Sequence, residues 1–178
     1  GAGNSPSAML WSLDSLIRMS YIGGDPVFSF DTISDESSIL SAQSVIEYDG
    51  VYYWCGTDRF LSYNGVVREV PNNLNLNYFF DNLNYAQRQK VFATKVPRWG
   101  EIWWCFPFGD SEECNAAVIY NVREGTWYDT RLPNLGRSNG QFARVFQYPM
   151  MIGSTTINSI RTFGTLVGGS TYVNGTYY

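Results

Sequence analysis

The chain has 178 residues, 12 basic against 16 acidic for a net charge of −4, no histidine, 44% hydrophobic residues and 17% aromatics. That composition excludes a disordered chain and favours strands, because aromatic and β-branched side chains suit a pleated, half-buried surface. Scattered Lys and Arg exclude gripping of nucleic acid by phosphate neutralisation, and the missing histidine removes the commonest general base and imidazole metal ligand.

In chain order, residues 9–24 admit a short helix through Leu10, Leu13, Leu16 and Ile17. The alternation Ile17-Arg18-Met19-Ser20-Tyr21-Ile22, stopped by Gly23-Gly24, favours a strand instead. Val27 to Thr32 follows as another strand, and its Phe30-Asp31-Thr32 resembles Tyr128-Asp129-Thr130 further on. Ser34 to Gln43 reads as a polar crossover.

Four strands are then predicted at 44–48, 51–55, 59–63 and 66–70, separated by turns at Asp49-Gly50, Gly56-Thr57-Asp58 and Asn64-Gly65. Asp-Gly and Asn-Gly between apolar runs are strong hairpin signals, since both turn residues take positive φ. Pro71 to Asn84 interrupts the pattern with Asn72, Asn73, Asn75, Asn77, Asn82 and Asn84, and the helix formers Ala86 to Lys90 predict a helical turn at its end. A second group of four strands is predicted at 91–96, 101–106, 116–121 and 126–132. Asn134 to Gly140 reads as a loop, Phe142 to Tyr148 and Met150 to Gly153 as the opening of a further unit, and the rest as a Gly/Ser/Thr-rich segment of small strands.

The chain nearly repeats itself across these groups. Gly50-Val51-Tyr52-Tyr53-Trp54-Cys55 returns as Gly100-Glu101-Ile102-Trp103-Trp104-Cys105, and Phe60-Leu61-Ser62-Tyr63-Asn64 is answered by Ala117-Val118-Ile119-Tyr120-Asn121. A period of about 50 residues built from short strands is the pattern of propeller blades. The expected fold class is therefore all-β, with antiparallel four-stranded blades of a β-propeller: two full blades at 43–71 and 91–133 around a 72–90 insertion. Residues 1–42 would be closing strands of a preceding blade, and 134–178 the start of a further one. No stop signal closes the Tyr-rich end, so the chain reads as a fragment of a longer polypeptide.

Chemistry is thinly represented. Acids cluster at Asp35-Glu36 and at Asp110 with Glu112-Glu113, so a two-acid glycosidase site is weighed against solvated surface, the plainer reading of acids in polar loops. Cys55 and Cys105 lie in aromatic runs and read as reduced core thiols, whereas Cys114 is expected in a loop open to solvent. The cysteine spacing forms no zinc site, and Gly23-Gly24 and Gly168-Gly169 lack a phosphate-loop frame. The runs Tyr52-Tyr53-Trp54 and Ile102-Trp103-Trp104 read as core packing before they read as stacking platforms for sugars or bases. No residue is assigned a catalytic, cofactor-binding or metal-ligating role, and no cofactor is expected.

The text Val51-Tyr52-Tyr53-Trp54-Cys55-Gly56, Asn64-Gly65-Val66, Val70-Pro71-Asn72-Asn73, Asn82 to Phe92, Gly100 to Cys105 and Val118 to Asp129 resembles virion structural proteins of tailed bacteriophages, closest in kind the propeller-bearing tail nozzle or tail tubular proteins of short-tailed phages. The likeness covers about residues 43 to 132, and the closing stretch Gly169 to Tyr178 resembles a repeat-like linker of large phage proteins. It implies a virion protein assembled in the host cytoplasm as a ring of identical subunits, six in number. That ring would contact adaptor proteins and tail fibres and pass DNA without sequence-specific binding. Other classes are a carbohydrate-binding or glycan-hydrolysing propeller of a host-recognition component, acting through Asp110, Glu112 and Glu113, and a head-completion plug that stabilises packaged DNA. No segment has the uninterrupted apolar length of a transmembrane helix.

Overall fold

A computed structural model describes residues 7–71, 76–132, 136–141, 150–157, 160–167, 170–173 and 176–177, leaving aside the side chains of Leu76 and of residues after 153. The chain is all-β. A first sheet holds β1 (Ser7–Trp11), β2 (Leu16–Tyr21) and β3 (Phe28–Ser34) in that order. Residues 9–24 therefore form no helix, and they contribute two strands rather than one, because the Ser12–Asp14 turn folds Trp11 back onto Leu16.

The second sheet runs β4 (Val45–Tyr48), β5 (Val51–Cys55), β6 (Phe60–Tyr63) and β7 (Val67–Glu69). Asp49 and Gly50 both take positive φ, 52° and 80°, the geometry that lets a two-residue turn match strand twist. The Asn64-Gly65 turn differs from expectation. Tyr63 pairs with Val67 across a three-residue loop in which Gly65, not Asn64, takes positive φ, so Val66 is lost to the turn.

Between the second and third sheets the insertion carries a helix, α1 (Leu76–Asn82), followed by a 3-10 stretch at Tyr85–Lys90. Helical structure thus begins earlier than Ala86. The aromatic run 78–80 places Phe79 fully buried against Phe60 and Phe106, a tertiary gain that local propensity does not register. The third sheet runs β8 (Phe92–Val96), β9 (Glu101–Phe106), β10 (Ala116–Asn121) and β11 (Thr126–Arg131).

A fourth sheet follows, with β12 (Gly136–Gln141), β13 (Met150–Ile157), β14 (Ile160–Val167), β15 (Ser170–Val173) and β16 (Thr176–Tyr177). The Asn134 to Gly140 stretch is thus a strand from Gly136 onward, not a loop. Gly-Arg-Ser-Asn-Gly-Gln has no apolar alternation, and its strand form is imposed by neighbours: Arg137 N–H donates to Cys114 O at 2.7 Å, and Gly140 lies against Thr94. The expected strand 142–148 lies outside the described residues.

The sheets stack face to face, and strand alternation assigns each residue a neighbour. Trp54, Leu61 and Val45 of the second sheet face Leu16, Trp11 and Met9 of the first. Tyr53, Cys55 and Phe60 point the opposite way, onto Ile102, Trp104, Phe106, Val118 and Tyr120 of the third. The other face of the third sheet, Phe92, Cys105 and Ala117, packs on Met151 of the fourth. The opening strands gather along one edge: Lys95 of β8 reaches Glu47 of β4, while Thr94 of β8 meets Gly140 of β12.

The Ser34–Ser44 connection is more than a polar crossover. Leu40, Ser37, Ser41 and Ser44 are buried, and both repeat tryptophans end on it: Trp54 Nε1–H donates to Ser38 O at 3.1 Å, and Trp104 Nε1–H to Ser44 O at 2.9 Å. Short serines suit this place because they satisfy their own buried hydroxyls, Ser41 onto Val91 O and Ser44 onto Ser41 O.

Candidate functional site

Both aromatic runs are consumed by packing. Trp54 and Trp104 have no exposed surface, and the Phe60 ring sits 4.8 Å from Trp104 and 4.9 Å from Trp127 between centroids. Tyr52, on the same face as Trp54, is half-buried against Trp11, and Trp103, on the opposite face from Trp104, is half-buried and donates to Glu101 at 2.9 Å. A row of rings free to stack on sugars or bases is not formed at these positions.

The two acidic clusters sit in different loops. Asp35 and Glu36 lie between β3 and β4, while Asp110, Glu112 and Glu113 lie in the β9–β10 loop. That loop is tied to the insertion: Gly109 N–H donates to Asn82 O, Asn84 N–H to Pro107 O, and Asn84 Nδ2–H to Ser111 O. Lys90 Nζ donates to Glu112 O at 2.6 Å and pairs with Glu113 at 3.1 Å. Glu113 is thereby turned onto its own scaffold. Among the described residues no group of three or more Cys, Asp or Glu could hold a metal ion.

Cys114, expected at the surface, is buried. Its position in the loop holds, but the loop folds inward, so that Sγ–H donates to Lys90 O at 3.1 Å and the thiol packs with Cys105, Phe92 and Ala117. All three cysteines are free. Burial pushes the Cys105 thiol up to about 12, and burial likewise raises Cys55 and Cys114 far above the ordinary thiol range. A nucleophilic cysteine needs the opposite shift, toward thiolate at neutral pH.

One feature that the sequence did not single out is a cleft of about 510 Å3 at the turn ends of the second and third sheets, lined by Tyr48, Asp49, Tyr53, Lys95, Pro97 and Arg123 among others. Its signal was present, since Glu47 and Lys95 sit on the corresponding opening strands. The cations of the cleft are already engaged by the protein. Lys95 Nζ donates to Glu47 Oε2 at 2.9 Å and to Glu47 O at 2.6 Å, and the Arg123 guanidinium donates to Pro97 O at 2.8 Å and Arg98 O at 3.2 Å. The Lys95 hydrogen bond, with help from the Gly50 N–H, holds the Glu47 carboxyl below its usual range. Burial raises the Tyr53 and Tyr120 phenols, so they stay neutral near pH 7. The arrangement joins two sheets; it pairs no nucleophile with a base.

No known family model matches the chain, and no curated protein is similar to it in sequence. Among the described residues no helix is long and apolar enough to cross a membrane.

Proposed function

We propose that this protein is a structural component of a phage tail, a propeller-type wall element of the nozzle or tail tube that forms part of the DNA-ejection conduit and works by assembly without catalysis. The observation that carries the reading is the stack itself. Each four-stranded sheet has two apolar faces and buries them only against neighbours, the arrangement of propeller blades, with β4, β8 and β12 along one shared edge. The resemblance of residues 43 to 132 to tail nozzle proteins gives that scaffold its context. The loops pinned around Glu113 and Cys114 present a fixed surface suited to neighbouring tail proteins.

Gold-labelled antibody against this chain, viewed by electron microscopy on intact particles, tests the assignment. Label confined to the tail is expected. Label on the head vertex would favour a completion plug, and release of sugar from host glycans by the purified protein, abolished in an Asp110→Ala, Glu112→Ala, Glu113→Ala triple variant, would favour a hydrolase.

A further inference from the structure

The cleft between the turn ends of the second and third sheets holds polar groups that the fold leaves unspent. Tyr48 stands across from Val51, and Tyr53 shares their face, the one laid on the third sheet. Tyr53 is 9% exposed, and its ring sits 6.2 Å from that of Tyr120. Among the described residues its hydroxyl, the Tyr48 hydroxyl and the Asp49 carboxylate make no hydrogen bond. A tyrosine buried this deeply ordinarily gives its hydroxyl to a partner, and where packing alone is needed phenylalanine supplies it without the desolvation cost. The Tyr53 hydroxyl is not sealed in; it stays open to the cleft. After burial, the largest cause, Tyr120, Tyr48 and Asp49 all push the Tyr53 phenol up, so these oxygens gather at one place.

The rest of the lining decides which ligand fits. Val51, Pro97 and Val122 supply apolar surface, and the volume of about 510 Å3 lies within the roughly 300–1,000 Å3 of small-molecule sites. Lys95 donates two N–H groups to Glu47 and keeps the third, so one donor joins two phenols that both donate and accept and a carboxylate that only accepts. An anion gains little here, because Lys95 and Arg123 are already held by protein oxygens and Asp49 faces it unpaired. A cation meets Lys95 and Arg123 at the wall. What fits both the oxygens and the apolar patch is a neutral molecule with hydroxyls on its rim and C–H groups on its face, the make-up of a sugar ring. Asp49 is the one acid among the described lining residues, so no acid pair is there to cleave such a ring.

We propose that this cleft binds a neutral saccharide, one pyranose ring held by the Tyr48 and Tyr53 hydroxyls, the Asp49 carboxylate and the third Lys95 N–H. The site goes beyond the assembly reading above, and either can fail without the other. A ligand this small binds with a dissociation constant on the order of 1 mM.

The test titrates the full chain, labelled with nitrogen-15, with glucose, galactose, N-acetylglucosamine and, as the anionic counterpart, glucuronate, and follows the backbone amides by NMR beside a Tyr53→Phe variant. Saturable shifts with at least one neutral sugar are expected, confined to the amides around Tyr48–Tyr53, Lys95 and Val122–Arg123. Tyr53→Phe keeps the ring and removes only the hydroxyl, so it should weaken that binding about tenfold. Its thermal midpoint should stay level or rise, because no protein partner is left orphaned. A lower midpoint would mean that the hydroxyl serves the fold, and would overturn the proposal. So would the absence of saturable shifts with all three neutral sugars, tighter binding of glucuronate than of any of them, or a Tyr53→Phe variant that binds like the native chain. The antibody label on particles decides the tail assignment independently.

Discussion

The second and third sheets share a design but not a depth of burial. Val51–Cys55 and Glu101–Phe106 are the same strand written twice, and each buries a tryptophan whose indole N–H ends on the Ser34–Ser44 connection. Among the described residues, however, Trp104 belongs to a buried cluster of thirteen drawn from both sheets, α1 and the segments that connect them, whereas Trp54 shares its cluster with two other buried residues, Leu16 and Leu61. The difference lies in what the preceding neighbour offers. Trp104 meets the apolar face of a four-stranded sheet, and Trp54 meets a three-stranded sheet whose facing side turns polar at Arg18 and Asp31. A repeated motif therefore fixes the direction of a side chain, while the adjoining sheet sets how much stability that direction yields.

The most severe way to break the comparison is to remove each tryptophan in turn. Trp104→Ala should destabilise by about 5 kcal/mol and Trp54→Ala by about 3 kcal/mol, the two ends of the range for deleting a buried large aromatic. Denaturant unfolding followed by far-ultraviolet circular dichroism reads both. Equal losses would mean that the smaller cluster holds its tryptophan as firmly as the larger one.

The equivalent turn glycines sharpen it next. Gly50 and Gly100 both take positive φ, 80° and 75°, but an added Cβ meets nothing within 4 Å at Gly50 and lies 2.8 Å from Arg123 Cδ at Gly100. Gly50→Ala should cost about 1 kcal/mol from backbone strain alone. Gly100→Ala should cost about 2 kcal/mol, since Arg123 must also leave the Pro97 and Arg98 carbonyls. Thermal unfolding of the two variants side by side gives the difference.

The smallest effect concerns the Glu47–Lys95 pair that links the two opening strands, 2.9 Å apart and with both side chains more than a third exposed. The folded carboxyl is lowered from 4.5, so its contribution is present above that pH and is lost as pH falls through the lower folded value. After discounting for solvent screening it is worth less than about 1 kcal/mol. Glu47→Gln should lower stability slightly at pH 7 and flatten its decline below about pH 4.5, as urea midpoints measured at a series of pH values would show.

Strands 51–55, 101–106 and 116–121 were legible to the residue because each is a short apolar run opened by a turn residue, Gly50, Gly100 or Asn115. Other features are decided at a distance. Gly136–Gln141 becomes a strand because glycine lets it approach Thr94, and Phe79 makes α1 worthwhile by filling a gap beside Phe106. Cys114 goes inward because Lys90, far away in sequence, offers its carbonyl. The cleft at Lys95 and Arg123 had the same character: its residues are ordinary turn and strand positions until two sheets meet.

The account stands most directly on the second and third sheets being one cooperative body around a shared core. Native-state hydrogen exchange measures this through the amides of Val51–Cys55 and Glu101–Phe106. The account predicts one common opening free energy for both strands, equal to that of global unfolding. Exchange of the second sheet through a separate, lower-energy opening while the third stays protected would contradict it.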